Sequence, residues 1–304
     1  MSSTEKPLTC DLASDPNKEP LIHRLGHRLI QEDRPTRELG RGSSRYFAML
    51  LVASVVFMTS GCSTVHYLST RSVRENPLTN QLRLMARQGP QFSLRTWDTL
   101  RRYGLHERYD EDVSVCLESI QQTARENRDP ELIHALCELS YVEGKKAESA
   151  GRVSDAMGHF GVALTSSYEF LFSEEFSETR NQYDPQFRAT CDLYNESLED
   201  TLRLLCSEHK IKPGQTYRVK TPDREFVIRT QLRGDWDDDE FDHYEFVSDY
   251  EIETLRSKHT TFGLGVPLIA VRKNGNPEDP REKYYDDGIS YSVTAMMRCV
   301  KPSE

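Results

Sequence analysis

The chain has 304 residues and a net charge of −10, with 37% hydrophobic and 29% charged residues. That length suffices for one or two domains. The acidic balance argues against a nucleic-acid binder, which needs a basic face. The sequence contains no GxxxxGK[ST], no GxGxxG after a strand and no HExxH, so we expect no nucleotide cofactor, no metal and no nucleic-acid partner.

Residues 1–45 mix polar, proline and charged residues. Such a composition predicts a disordered leader. His23 and His27 have the spacing of a metal pair on a helix. No further ligand lies near them in the sequence, so we interpret them as incidental polar residues.

An apolar stretch follows at residues 46–61. Residues 47–58 carry no charge, and Arg41 and Arg45 precede them. A basic flank, a short apolar core and a small-residue exit are typical of a secretory signal. A membrane-spanning helix needs about 20 apolar residues, and this run is short for that.

Cys62 is the predicted lipidation site. Ser60 and Gly61 directly before it resemble a bacterial lipobox, although Thr59 stands where leucine is usual. In that pattern the cysteine is diacylated and the chain is cut on its N-terminal side, and two acyl chains give stable anchoring. Three alternatives remain: an uncleaved anchor at residues 46–61, secretion with cleavage but no lipid, and a buried core helix. We expect a bacterial membrane-anchored protein on the exported side, in the periplasm or at the cell surface, with membrane lipid as a partner.

Residues 62–109 are basic within an acidic chain, since residues 63–109 have eight arginines against three acidic residues. We predict a tether with short helices, either solvated or attracted to anionic headgroups. Leu78, Leu82 and Met85 have helical spacing. Ser93 is the predicted N-cap of a helix over residues 94–103.

Residues 110–210 predict a helical region. Apolar residues recur every three to four positions, and Asp129 with Pro130 forms a helix start signal. Residues 132–149 and 153–172 resemble one tetratricopeptide-type helix pair, turning at Gly144 or Gly151. No second copy follows at a period near 34 residues, so we expect a helical hairpin with a packed core and no array. The histidines are predicted to be surface or capping residues: His134, His159 and His209.

Residues 211–304 change to a period of two. Strands are predicted at 216–220, 225–232, 244–250, 266–272 and 289–299, and residues 251–258 allow a short helix as an alternative. The acidic run at 234–240 lacks the glycine and glutamate positions of an EF-hand and predicts a solvated loop. The fold class is therefore α+β, with a signal or anchor helix, a helical-hairpin region and a mainly antiparallel β-rich region.

Reactive residues give weak signals. The five cysteines after Cys62 are odd in number and irregularly spaced, which favours small buried residues, with a Cys137–Cys191 bridge as the alternative. Ser290 lies in Gly-Ile-Ser-Tyr-Ser, which lacks the second glycine of a G-x-S-x-G elbow. We assign no catalytic residue.

Four strings together resemble one known family. They are residues 76–105, Asp-Leu-Tyr-Asn-Glu-Ser-Leu-Glu-Asp at 192–200, residues 263–271 and residues 284–298. They are similar to the N-terminal region of bacterial exported α/β-hydrolase (esterase/lipase-like) proteins. In that family the serine elbow lies in a later domain, and no position here matches a catalytic residue.

Three functions follow as expectations. The first is a membrane-tethered accessory or interaction protein without catalysis, with a protein partner. The second, implied by the resemblance, is the N-terminal half of an exported serine hydrolase whose catalytic domain is absent from this chain. The third is binding of a peptide or partner in the groove of the helices at residues 132–171, through Tyr141 and Phe160.

Overall fold

The structure is a computed structural model. It describes residues 7–13, 68–208, 214–220, 225–233, 237, 239–252, 263–273, 275, 278, 280, 282–284 and 289–299. The chain divides into one unit of Met1–Asn17, Arg71–Asp249 and His259–Glu304, and a second of Lys18–Thr70 and Tyr250–Lys258. The predicted anchor at residues 46–61 and Cys62 lie outside the described residues, as do His23, His27 and His209.

The described residues of the first unit contain six α-helices. They are α1 (Leu94–Arg102), α2 (His106–Glu111), α3 (Val113–Asn127), α4 (Pro130–Ser149), α5 (Val153–Phe172) and α6 (Pro185–Glu208). The predicted caps are present at Ser93, whose side chain accepts from the Thr96 amide, and at Asp129, which precedes Pro130 at the first turn of α4. These side chains satisfy amides that a helix start leaves unpaired.

Helices α4 and α5 form the predicted hairpin, turning at Gly151, whose φ is +72°. Gly144 lies inside α4 and is no turn. A Cβ there would lie 2.5 Å from Cε1 of Phe160, so the missing side chain lets the α5 ring approach the helix. Tyr141 and Phe160 are both fully buried, with ring centroids 5.7 Å apart.

The arginine-rich segment joins this helical layer. Leu78 and Leu82 are buried, and the chain between them and α1 forms turns in place of the predicted helix. Arg83 has a φ of +46°, which breaks the helical path. Residues 71–109 therefore differ from the tether that their composition predicts, because four of their leucines belong to the core: Leu78, Leu82, Leu100 and Leu105.

A six-stranded sheet completes the first unit, in the order β3-β4-β1-β8-β7-β5. Its strands are β1 (Pro7–Ala13), β3 (Thr216–Lys220), β4 (Glu225–Arg233), β5 (Phe241–Phe246), β7 (Val266–Arg272) and β8 (Ser290–Cys299). All neighbours are antiparallel except β1 and β4. The α+β class with a mainly antiparallel sheet is thereby confirmed.

Two strand predictions differ from the structure. Pro7–Ala13 is a strand inside the stretch predicted to be a disordered leader. The strand predicted at 244–250 is β5, then a 3₁₀ turn at Val247–Asp249, then a separate short strand β6 (Tyr250–Ile252). The alternative of a short helix at residues 251–258 does not begin at residue 251, because β6 continues to Ile252, and residues 253–262 lie outside the described part.

The described residues of the second unit form a small antiparallel pair, β2 (Leu68–Thr70) with β6. Within the described ranges no helix has the length and apolarity needed to cross a membrane. That finding leaves the apolar stretch at residues 46–61 untested.

One face of the large sheet is buried, as alternate strand residues show. Ile228 and Leu232 on β4 and Val293, Ala295 and Met297 on β8 are at most 9% exposed. The residues between them are more open, since Arg229, Gln231 and Arg298 are exposed. This alternation is the signature of a sheet with one face against a core.

Candidate functional site: two internal polar clusters

Arg74 lies at the centre of the first cluster, which we call the Arg74 cluster. Its guanidinium is 2.7 Å from the carboxylate of Glu196, 3.1 Å from Glu199 and 3.0 Å from Asp200. The three acids follow one another along α6 at spacings that share a helix face. All three side chains are at most 8% exposed, and that of Arg74 is 14% exposed.

Further cations and a hydroxyl surround these acids. Arg203 reaches Glu199 at 2.8 Å and Asp249 at 2.7 Å. Ser248 donates its hydroxyl to Glu199 at 2.5 Å. Lys145 on α4 lies 3.4 Å from Asp200. The cluster thus ties α6 to α4, to the 3₁₀ turn at Val247–Asp249 and to the segment that carries Arg74.

The acids of the Arg74 cluster titrate differently. Burial, with repulsion from Glu199 and Asp200, raises the pKa of Glu196 to about 8 despite the attraction of Arg74. Burial also opposes ionisation of Glu199, but Arg74, Ser248 and Arg203 outweigh it and lower the pKa of Glu199. At neutral pH Glu196 therefore keeps its proton and Glu199 is ionised, and both side chains lie next to the positive charge of Arg74.

The second cluster is centred on Glu138 of α4, and we call it the Glu138 cluster. This carboxylate is 0% exposed. It accepts hydrogen bonds from the Ser93 amide, from the Ser93 hydroxyl at 2.9 Å and from the Thr96 hydroxyl at 2.8 Å. Glu138 therefore caps the N-terminus of α1 from a different helix, where the partial positive charge favours an anion.

His134 completes the Glu138 cluster. Its Nε2 lies 3.4 Å from Glu138, and its Nδ1 lies 2.8 Å from the Thr190 hydroxyl. Thr190 donates its proton to the Gln186 carbonyl at 2.8 Å, so its oxygen is left to accept from His134. Burial opposes ionisation of Glu138, but His134 and the bonds from α1 prevail and lower the pKa of Glu138.

The prediction that His134 is a surface or capping histidine is wrong, since the side chain is 3% exposed. The four-residue spacing of His134 and Glu138 on one helix was the available signal for the pair. The contact with Thr190 spans 56 residues and has no local signal.

A third set of contacts joins α6 to the sheet. The Tyr194 hydroxyl donates to the Met297 carbonyl at 2.9 Å and accepts from the Met297 amide at 2.7 Å. Asn195 donates to the Gly263 carbonyl at 2.9 Å and accepts from the Gly265 amide at 2.6 Å. The string at residues 192–200 therefore supplies side chains to both the sheet contacts and the Arg74 cluster.

The remaining candidate residues are not brought together. Ser290 is exposed at the start of β8. Cys137 and Cys191 are unbridged, so the alternative of a disulfide between them does not hold in the structure. Burial raises the pKa of the Cys137 thiol to about 12, which suits a small core residue. Across the described ranges no group of three or more potential ligands could hold a metal ion.

In comparisons with known proteins, the chain matches no family model, no curated protein and no solved structure. Its function is therefore inferred from its sequence and geometry.

Proposed function

We propose that the protein is an exported, membrane-tethered protein with an accessory or interaction role, and that this chain performs no catalysis. The tether is either the apolar stretch at residues 46–61 or the lipid on Cys62. The protein then lies on the exported side of a bacterial membrane, in the periplasm or at the cell surface. The observation that supports the non-catalytic part is the burial of Glu138, His134 and Thr190.

The Glu138 cluster has the composition of an acid–base site, with a hydroxyl, an imidazole and a carboxylate. A catalytic acid or base must come within hydrogen-bond reach of a substrate. Thr190 and Glu138 are 0% exposed and His134 is 3% exposed. Their polar atoms are engaged with the backbone of α6 and the start of α1, which supports a structural role.

In this proposal the α4–α5 hairpin resembles a tetratricopeptide pair and is the scaffold that supports the interaction role. Tyr141 and Phe160, the aromatic residues that would line a groove between the helices, are 0% exposed. A partner therefore binds elsewhere on the surface.

A serine-reactive fluorophosphonate probe tests the absence of catalysis. The full chain should give no labelling above a heat-denatured control. Labelling that disappears in a Ser290→Ala variant would contradict the proposal and assign a nucleophile. Labelling that persists in that variant would contradict it equally and point to another serine.

The intact mass of the protein extracted from membranes of its own host tests the tether. We expect a mass matching residues 62–304 plus acyl chains, and an unprocessed mass for a Cys62→Ser variant. An unmodified mass beginning at Met1 would contradict lipidation. A mass tens of kilodaltons larger would favour the alternative, the N-terminal half of an exported esterase-like hydrolase.

A further inference from the structure

Strand β1 lies inside the sheet, between β4 and β8. Pro7–Ala13 runs parallel to β4, from Pro7 opposite Val227 to Ala13 opposite Arg233. The same strand runs antiparallel to β8, from Leu8 opposite Cys299 to Ala13 opposite Thr294. Seven residues near the N-terminus therefore join two parts of the sheet that would otherwise be separate.

The backbone groups that β1 meets can be identified from their neighbours. Thr230 uses its amide and carbonyl toward Gln215 and Gly214, on the β3 side. Since successive residues of a strand point their backbone groups to opposite sides, Arg229 and Gln231 direct theirs toward β1. Without β1, this row of donors and acceptors on β4 has no strand partner.

The same reasoning applies to β8. Met297 uses its amide and carbonyl on the Tyr194 hydroxyl, beyond the end of the β7 pairing, where Val266 lies opposite Ala295. Met296 and Arg298 therefore direct their backbone groups toward β1. Once β1 is removed, the slot between β4 and β8 is bordered on both sides by the strand edges that had paired with β1.

The lipid tether on Cys62, one of the two tethers proposed above, requires a cut that removes β1. A cut before Cys62 separates Pro7–Ala13 from the chain that carries β4 and β8. This step rests on the proposed function. A processed protein would then have two inner strand edges in place of one continuous sheet.

We propose that this slot is a strand-acceptor site, which in the processed protein takes an extended segment of a partner polypeptide. Main-chain hydrogen bonds to β4 and β8 supply the affinity, and the side-chain pattern supplies the specificity. A second processed copy has itself lost residues 7–13, so the donor is a different chain.

The two strand edges also define the side chains that the donor needs. On β4, Ile228 and Leu232 lie opposite positions 8 and 12 of β1. On β8, Met297 and Ala295 lie opposite positions 10 and 12. All four of these residues are buried. The donor therefore needs small or apolar residues at alternate positions. In the sequence, positions 8, 10 and 12 are Leu, Cys and Leu, separated by Thr and Asp.

The test opens the slot in the full chain and offers a peptide. A Thr9→Pro/Asp11→Pro variant removes two backbone donors from β1. Its matched control is Ser2→Pro/Thr4→Pro, which lies outside the strand. The probe is a fluorescent peptide of residues 6–14, Lys-Pro-Leu-Thr-Cys-Asp-Leu-Ala-Ser, under reducing conditions. The control peptide has serine at positions 8, 10 and 12.

We expect the peptide to bind the double-proline variant about tenfold or more tightly than the wild type, because resident β1 competes for the slot. The serine peptide should bind neither protein. Amide exchange at Arg229, Gln231, Met296 and Arg298 should accelerate in the variant and slow again with peptide. The control variant should behave as wild type.

Several results would overturn the acceptor site. These amides could exchange at wild-type rates in the variant, as they would if β4 and β8 closed on each other. The peptide could instead protect the outer strands β3 or β5. If the amides of α4 also lose protection from exchange, the double-proline variant has unfolded beyond the sheet. The peptide is then tested with protein extracted from host membranes, and failure to bind that protein overturns the proposal. The intact mass tests the processing step separately.

Discussion

The hydroxyl of Tyr194 serves both backbone groups of Met297, donating to its carbonyl at 2.9 Å and accepting from its amide at 2.7 Å. Both residues are buried. A helix side chain thus takes the place of a strand partner just beyond the pairing of Ala295 with Val266, the first residue of β7.

Replacing Tyr194 with phenylalanine should leave the Met297 amide and carbonyl without these bonds. Because buried backbone groups without partners are costly, we expect the free energy of unfolding to fall by about 1–3 kcal/mol. Urea denaturation checks this. The matched control is Tyr183→Phe, at a residue that is 97% exposed, where the change should stay within about 0.5 kcal/mol. Equal midpoints for both variants would show that the Tyr194 bonds contribute nothing.

Removing Arg74 should destabilise the protein more than removing any exposed arginine. An Arg74→Met variant leaves Glu196, Glu199 and Asp200 without their central cation, which we expect to cost about 3–5 kcal/mol. Arg87→Met is the control, because Arg87 is exposed. Urea midpoints at pH 7 provide the comparison. A loss for Arg74→Met no larger than that for the control would refute the role of the Arg74 cluster as a structural tie.

Glu196 should make stability fall as the pH rises above 5. The pKa of this side chain is about 8 in the folded protein, against an ordinary value of 4.5. Between these values the folded state holds a proton that the unfolded state releases, so the free energy of unfolding decreases with rising pH. A Glu196→Gln variant resembles the protonated form and should reduce this decrease by an amount on the order of 3 kcal/mol.

Urea titrations at pH 5 and pH 8 measure that slope. Glu118→Gln is the control, since Glu118 is exposed on α3. If Glu196→Gln and the control show the same pH dependence as wild type, then Glu196 is ionised across this range and the proposed proton is absent.

Gly144 should not tolerate a methyl group. A Cβ at this position would lie 2.5 Å from Cε1 of Phe160, whose side chain is fully buried. Alanine gains helix propensity of about 1 kcal/mol, but overpacking costs about 1–3 kcal/mol. We therefore expect a lower midpoint of thermal unfolding for Gly144→Ala, and little change for Gly263→Ala, where nothing lies within 4 Å of an added Cβ. A raised midpoint for Gly144→Ala would show that Phe160 moves aside at little cost.

Helices and strands with a clear capping residue or alternating pattern could be predicted from the sequence. Asp129 with Pro130 marks the observed start of α4, and the strand Val266–Arg272 matches its predicted bounds. In these elements the capping residue or the alternating pattern agrees with the tertiary packing. Leu78 and Leu82 are also buried as their spacing indicates, but tertiary packing places them on turns.

The polar clusters could not be predicted in the same way. The Arg74–Glu196 contact spans 122 residues, and neither residue carries a local pattern that indicates the other. Strand β1 did carry a signal, the alternation of Leu8, Cys10 and Leu12. The polar and proline-rich composition around these five alternating positions favoured a prediction of disorder.

The bond between Tyr194 and Met297 has a consequence for how the protein is made. The two residues are 103 positions apart, so a ribosome adding about 5–20 residues per second needs roughly 5–20 s to pass from one to the other. During that interval the β8 partner of Tyr194 is absent, and long-range closure is slow in any case. The contact between α6 and β8 therefore forms late, after the other strands of the sheet have been synthesised.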